Sequence, residues 1–224
     1  MRSRHRVLVV AAHADDETLG AGGALATHAT AGDQIRLLIL STSAVSRPDA
    51  DQTAVDAHRR ACATKAAELY GARLHLGDLP DNGFDTRPLL QITQQIEEMV
   101  KDFAPTIVYT HSRADLSRDH QFVAQATAAA VRPAPRTSVR TVLAYEVRSA
   151  TEWGINETFQ PTWFQPLTAA AVQTKIDALQ IYASEMRPWP HTRSLEAIRA
   201  QLTYRGTQVG VEAAEAFDVV RHLA

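Results

Sequence analysis

Val7 to Ala12, VLVVAA, is an unbroken apolar run with three valines and no polar residue between them. A strand with one face in water alternates polar and apolar residues. A continuous β-branched run therefore predicts a strand covered on both faces. IRLLILS (Ile35 to Ser41), TIVYT (Thr106 to Thr110) and VRTVLAYEV repeat the theme. Between them stand helical patterns: ETLGAGGALATHATAG, closed by Gly32; TAVDAHRRACATKAAELYG, closed by Gly71; Leu89 to Phe103; and HQFVAQATAAAV. RLHLG reads as a short strand, LPDNGFDTRP as turn chemistry, and Thr42 to Asp51 as a mobile loop. Strand and helix thus alternate through the first 147 residues. This predicts a single Rossmann-like, doubly wound α/β fold, its mostly parallel sheet carrying helices on both faces. Ligands in such a sheet lie at the carboxyl ends of the strands.

Beyond Arg148 the pattern changes. SATEWGINETFQPTWFQP reads as an aromatic, irregular surface loop, and Ala169 to Ser184 and Ser194 to Tyr204 read as helices. EAAEAFDVVRHL suits a final strand or helix. The domain reading is one unit, 1–224, with an α/β core over 1–147 and an irregular and helical C-terminal extension over 148–224 that shapes the substrate pocket.

Composition excludes several classes. A net charge of -2 over 224 residues offers no concentrated basic face for nucleic acid. Cys62 is the only cysteine, which rules out an internal disulfide framework and a cysteine-rich zinc site; on its helical pattern it reads as a core residue. The basic, then apolar N-terminus ends in charge too soon for a signal peptide, and no stretch approaches the ~20 apolar residues of an integral membrane segment. The reading is a cytoplasmic protein.

Two segments place metal-compatible side chains just after strands: AHADDE after the first, and HSRADLSRDH after TIVYT. In a parallel sheet both reach the same edge. His13 and Asp16 are three apart and converge if a helix begins near Asp15; His120, at the entrance of a later helix, completes a His-Asp-His set. Three protein ligands leave a position open for water and substrate, as in catalytic rather than structural zinc sites. Asp15 is then a spare carboxylate, suited to act as general base.

AHADDETLGAGG and THSRADLSRDH resemble the zinc-dependent N-deacetylases related to the LmbE proteins. That family includes the N-acetylglucosaminyl-phosphatidylinositol deacetylases and the enzymes of mycothiol and bacillithiol synthesis. Its first motif is His-Pro-Asp-Asp-Glu, with Ala14 here in place of proline, and its second ends in Asp-His, matched by Asp119 and His120. The likeness spans roughly the first 135 residues, Arg59 included. LPDNGFDTRPLL and YEVRSATEW with PHTRS look like one bacterial branch and extend it further. The resemblance implies one Zn2+ per subunit (or another divalent metal) on His13, Asp16 and His120, Asp15 as base, and Asp119 orienting a catalytic or ligand group. It also implies hydrolysis of an N-acetyl group from a small amino sugar or its conjugate, releasing acetate and a free amine. Family members often associate, so a homo-oligomer is compatible with it.

One position departs from the pattern. Many members carry a histidine three residues before the last ligand, where this chain has Ser117. Serine is no acid near neutral pH, so Asp15 performs both proton transfers or His111 or His191 takes the role. On the substrate side Arg59, Asp81, Glu146 and Arg148 suit hydroxyls or a phosphate, and Trp153 suits a sugar face. Glu152 and Arg193 are similar candidates.

Three rival readings remain. One is an amidase for a larger acyl or thiol-conjugate amide at the same site, and another a metal-binding module without catalysis. The third, a dinucleotide fold, suffers from Leu25 standing where a third glycine belongs and from two carboxylates in the pyrophosphate space.

Overall fold

A computed structural model describes residues 4–43, 51–135, 137–155 and 157–223. Most of the loop expected over Thr42 to Asp51 lies outside the described residues. The apolar run forms β1 (Arg6–His13), which pairs in parallel with β2 (Gln34–Ser41) on one side and β4 (Ile107–His111) on the other. Val7 lies opposite both Ile35 and Ile107. β3 (Arg73–Leu76) extends the sheet beyond β2, and β5 (Thr141–Tyr145) extends it beyond β4, again in parallel.

Alternate side chains of β1 serve opposite layers. Val7, Val9 and Ala11 pack toward α1 (Asp16–Thr30), α2 (Gln52–Leu69), α5 (Ala169–Ile181) and α6 (Leu195–Thr207). Leu8, Val10 and Ala12 pack toward α3 (Leu89–Phe103) and α4 (Arg118–Ala130). Both faces are buried, as the lack of alternation requires. Each fully buried valine or leucine contributes about 1.5–3 kcal/mol.

The C-terminal third departs from expectation in one stretch, between β5 and α5. The stretch read as surface loop holds β6 (Trp163–Pro166) and a short 3-10 turn, Thr151–Trp153. The last segment is a strand, β7 (Ala214–His222), antiparallel to both β5 and β6, and the sheet order is β3-β2-β1-β4-β5-β7-β6. β6 is a four-residue edge strand ending in proline. An edge needs only one paired side, so proline is tolerated there and the local pattern is too short to announce a strand.

β1 is the switch point of the winding: the chain builds β2 and β3 to one side of it, then crosses to β4 and β5 on the other. The crevice where ligands bind in such sheets therefore opens between the ends of β1 and β4. α1 leaves β1 directly into it and is buried around most of its circumference. A Cβ at Gly20 would stand 2.2 Å from Cδ2 of Tyr145, so only glycine allows this approach. A buried ion pair grips the same helix from the side. Lys175 Nζ donates to the Leu19 carbonyl at 2.7 Å and to Glu215 Oε1 at 2.6 Å. The Glu215 carboxylate in turn accepts the Gly23 and Ala24 amides at 2.8 and 2.7 Å. These contacts fix where α1 begins, and so where Asp15 and Asp16 stand.

Candidate metal centre and active site

The end of β1 supplies His13, the first turn of α1 supplies Asp16, and α4 supplies His120. α4 starts where Ser117 caps it, its Oγ accepting the His120 amide at 3.4 Å. The residue that departs from the family pattern thus has a local task, presenting His120.

His13 Nδ1 and His120 Nε2 each lie 3.2 Å from Asp16 Oδ2 and 3.3 Å from one another. Metal–ligand bonds of about 2.0–2.1 Å in a tetrahedron require ligand atoms about 3.3 Å apart. The triangle has that size. The outer nitrogens of both rings face carboxylates: His13 Nε2 is 2.9 Å from Asp119 Oδ2 and 3.3 Å from Asp81 Oδ1, and His120 Nδ1 is 3.1 Å from Asp115 Oδ1. Carboxylates behind ligating imidazoles fix tautomer and orientation. Asp119 is itself held by the Asn82 and Phe84 amides at 2.7 and 3.1 Å. Asp16 Oδ1 is buried and has no hydrogen-bond partner among the described residues.

The electrostatics ask for a cation. Burial opposes charge on His13, yet hydrogen bonds to Asp119 and Asp16 raise it to about 9. Burial opposes it on His120 too, and Asp16 and Asp115 raise that ring to about 10. Burial would lift Asp16, but the His120 charge and hydrogen bonds to His120 and His13 hold it well below the carboxylate range. Protons here occupy the nitrogens that a divalent metal would claim. Donor set, spacing and surplus carboxylates all fit such a metal.

Asp15 precedes α1 with φ 118, a left-handed conformation rarely adopted by a residue with a Cβ. Its amide donates to Glu17 Oε2 at 3.1 Å, and Glu17 Oε1 accepts the Thr18 and Tyr182 hydroxyls, each at 2.8 Å. Arg193 Nη1 donates to Asp15 Oδ2 at 2.9 Å. Burial pushes Asp15 up to about 7; Arg193 pulls down, and Asp16, Glu185 and Glu17 push up. A strained backbone and a carboxyl poised near neutrality are the marks of a functional position.

These groups line a cavity of about 250 Å³ containing His13, Asp15 and His120, with Arg59, Asp81 and Arg193 on its walls. Arg59 Nε contacts Glu185 Oε1 at 3.3 Å, and its Nη1 is 3.8 Å from Asp81 Oδ2. Arg59 and Asp81, two of the substrate candidates of the sequence reading, thus line the cavity. Glu146, Arg148 and Trp153 do not line this cavity. Glu146 and Arg148 border a neighbouring one, and Trp153 is exposed.

Neither alternative histidine lines it. The His111 side chain is 0% exposed, stacked on His120 with ring centroids 4.0 Å apart. Its Nε2 accepts the Ala12 amide at 2.9 Å, and burial together with the His120 charge keeps the ring neutral. His191 is exposed in a turn, where its Nδ1 accepts the Arg193 amide at 3.0 Å. Glu185 was not singled out by the sequence reading. It sits between α5 and α6 without a motif around it, and only the fold carries it to the cavity.

Fold and site together define an LmbE-like α/β protein. Residues 8–131 match the family described as GlcNAc-PI de-N-acetylase (PIG-L), and the chain belongs to that family. It is similar to the uncharacterized deacetylase YaiS of Escherichia coli K12, 29% identical over 191 residues that cover 81% of this chain and 92% of that protein. Among solved structures it resembles GalB, the 4-carboxy-2-hydroxymuconate hydratase of Pseudomonas putida KT2440, with TM-score 0.79, 22% identity and 98% of each chain covered. It also resembles the N,N'-diacetylchitobiose deacetylase of Pyrococcus horikoshii, with TM-score 0.78, 16% identity, and 97% of this chain and 84% of that one covered. At these identities the structures speak for the fold alone. A hydratase and a deacetylase on one fold mean that the reaction is argued from the site. Glu185 and Arg193 both lie beyond the matched segment.

Proposed function

We propose that the chain is a zinc-dependent hydrolase that removes an N-acetyl group from a small amino sugar or amino-sugar conjugate, releasing acetate and a free amine. The observation that carries this reading is the His13–Asp16–His120 triangle with the Asp15 carboxylate beside it in one cavity. Bound by those three side chains, one zinc ion (or another divalent metal) supplies a Lewis acid and lowers the pKa of water toward about 7. Asp15 takes the proton of the attacking water. It then returns that proton to the departing amine, a second task that falls to it because position 117 holds a serine. Arg193 holds the Asp15 carboxylate in place, while Asp119 and Asp115 hold the two imidazoles. His111 packs behind His120 and supports its ring plane. Arg59 and Asp81, which also line the cavity, meet the sugar hydroxyls.

The test is a panel of N-acetylated sugars, nucleotide sugars and glycosides incubated with zinc-loaded protein and scored for acetate and amine release. We expect both products in equal amounts. No acetate anywhere in the panel, with zinc bound, overturns the acetyl reading. The panel extends to longer N-acyl and thiol-conjugate amides, since the site chemistry is common to them, and to a hydration assay on an unsaturated tricarboxylate because of the likeness to GalB.

A further inference from the structure

Beside the metal cavity lies a second and larger one, about 380 Å³ against about 250 Å³. It is bounded by the chain after β5, by the loop before α6 and by α6 itself. The two cavities share a partition. Ser149 and Arg193 line the first, their chain neighbours Arg148 and Thr192 line the second, and Arg193 Nε donates to Ser149 Oγ at 2.7 Å. A ligand seated in one is therefore next to a ligand seated in the other.

The second cavity has a distinct chemistry. Trp189 and Tyr204 border it with 63% and 60% of their surface exposed. Aromatic faces left open at a concave site suit the apolar faces of a ring that packs over them. Two arginines stand beside them, in different states. Arg205 is already satisfied: Nε and Nη2 meet the two Glu146 oxygens at 2.8 and 3.0 Å, a bidentate pair. Arg148 is not. Its Nε is buried without a hydrogen-bond partner among the described residues, and Glu152 Oε1 is 3.8 Å from its Nη2. A buried donor left unpaired is costly, so the side chain, a quarter of it exposed, gains by turning Nε toward an acceptor that a ligand supplies. The Nε–Nη edge of a guanidinium presents two parallel N–H groups, which match the two oxygens of a carboxylate. A phosphate dianion would call for a second free cation, and Arg205 is taken by Glu146.

We propose that this second cavity binds an acidic sugar ring, a hexuronate, with its carboxylate on Arg148 and its ring over Trp189 and Tyr204. It accommodates the unit attached to the acetamido sugar in the metal cavity. The placement of that neighbour rests on the deacetylase reading; the binding of the hexuronate does not.

The experiment has two arms, both on the full zinc-loaded chain. In the first, methyl glucuronide and methyl glucoside are titrated and followed calorimetrically. We expect the glucuronide to bind ~10-fold more tightly than its neutral counterpart, the range of one charge-assisted bidentate contact. Arg148→Gln abolishes that preference, Trp189→Ala weakens both ligands, and Asp15→Asn in the metal cavity changes neither. Equal affinity of the two ligands for the unaltered protein, or a preference that survives in Arg148→Gln, overturns the proposal. In the second arm, kcat/KM is compared for N-acetylglucosamine and for a disaccharide joining it to glucuronate. Arg148→Gln is expected to lower the disaccharide value ~10-fold more than the monosaccharide value; an equal effect on both overturns the placement beside the metal cavity. Absence of deacetylation with glucuronide binding intact would count against the proposed function and leave the hexuronate site standing.

Discussion

Arg193 Nη1 lies 2.9 Å from Asp15 Oδ2, joining residues 178 positions apart in the chain. Asp15 precedes the first helix, whereas Arg193 comes from the loop before the last one, well outside the matched family segment. The pairing ties the proposed base to a part of the chain that carries no motif. It sets both where the carboxylate sits and how readily it ionises.

Asp15→Asn should abolish turnover, by ~10²–10⁴-fold if proton transfer is its contribution. Zinc content measured on the same protein should remain near one per chain, because His13, Asp16 and His120 are untouched. A rate close to that of the unaltered enzyme would remove Asp15 from the mechanism.

The neighbours of Asp15 should move the pH profile in opposite directions. As a base Asp15 must be ionised, so kcat/KM rises with pH through its pKa, which is about 7 in the metal-free pocket. A bound cation lowers it, placing the limb at or below that value. Arg193 pulls the pKa down, so Arg193→Gln should shift the limb to higher pH. Glu185 pushes it up, so Glu185→Gln should shift the limb to lower pH. Profiles that do not move would show that neither charge acts on the group controlling the rate.

Metal binding should release protons. His13 and His120 carry raised values of about 9 and about 10 without metal, and a ligating imidazole must be neutral. Affinity measured by competition with a chelator should therefore increase with pH across neutrality. Asp119→Asn removes the carboxylate behind His13, and weaker metal binding by ~10–100-fold is expected. Unchanged affinity in that variant would reduce Asp119 to a contact of the Asn82 and Phe84 amides.

Far from the site, Asp33 offers a stability test. Its carboxylate accepts the His5 amide at 2.8 Å and meets His28 Nδ1 at 2.7 Å. Burial would raise its pKa, but these partners hold it below the ordinary value. A depressed carboxyl contributes stability above its unfolded pKa of about 4 and loses it as pH falls through the folded value. Asp33→Asn should cost about 1–2 kcal/mol at pH 7, read from chemical denaturation. The difference from the unaltered protein should close as pH drops below 4. A gap that persists in acid would assign the effect to packing.

The β1, β2 and β4 runs fixed their own burial. An apolar stretch without polar alternation can be satisfied only between two layers, so their central place in the sheet was legible locally. His13, Asp16 and His120 were legible for a related reason: they sit where strands end, and the geometry of a parallel sheet brings strand ends to one edge. Trp163 to Pro166 gave no such signal, because an edge strand takes its identity from a partner far along the chain. Tertiary structure alone decided the company that Asp15 keeps. Glu185 and Arg193 have no spacing relation to AHADDE, and only the packing of α5 and α6 against α1 sets their distance from it. Tertiary structure also divided the substrate candidates, leaving Arg59 and Asp81 in the cavity of His13, Asp15 and His120 and carrying Glu146 and Arg148 to the cavity beyond the partition. Sequence records which groups a chain owns and the periodicity that buries them. Long-range contacts set the field around each ionisable group, because charges act through space and not along the chain.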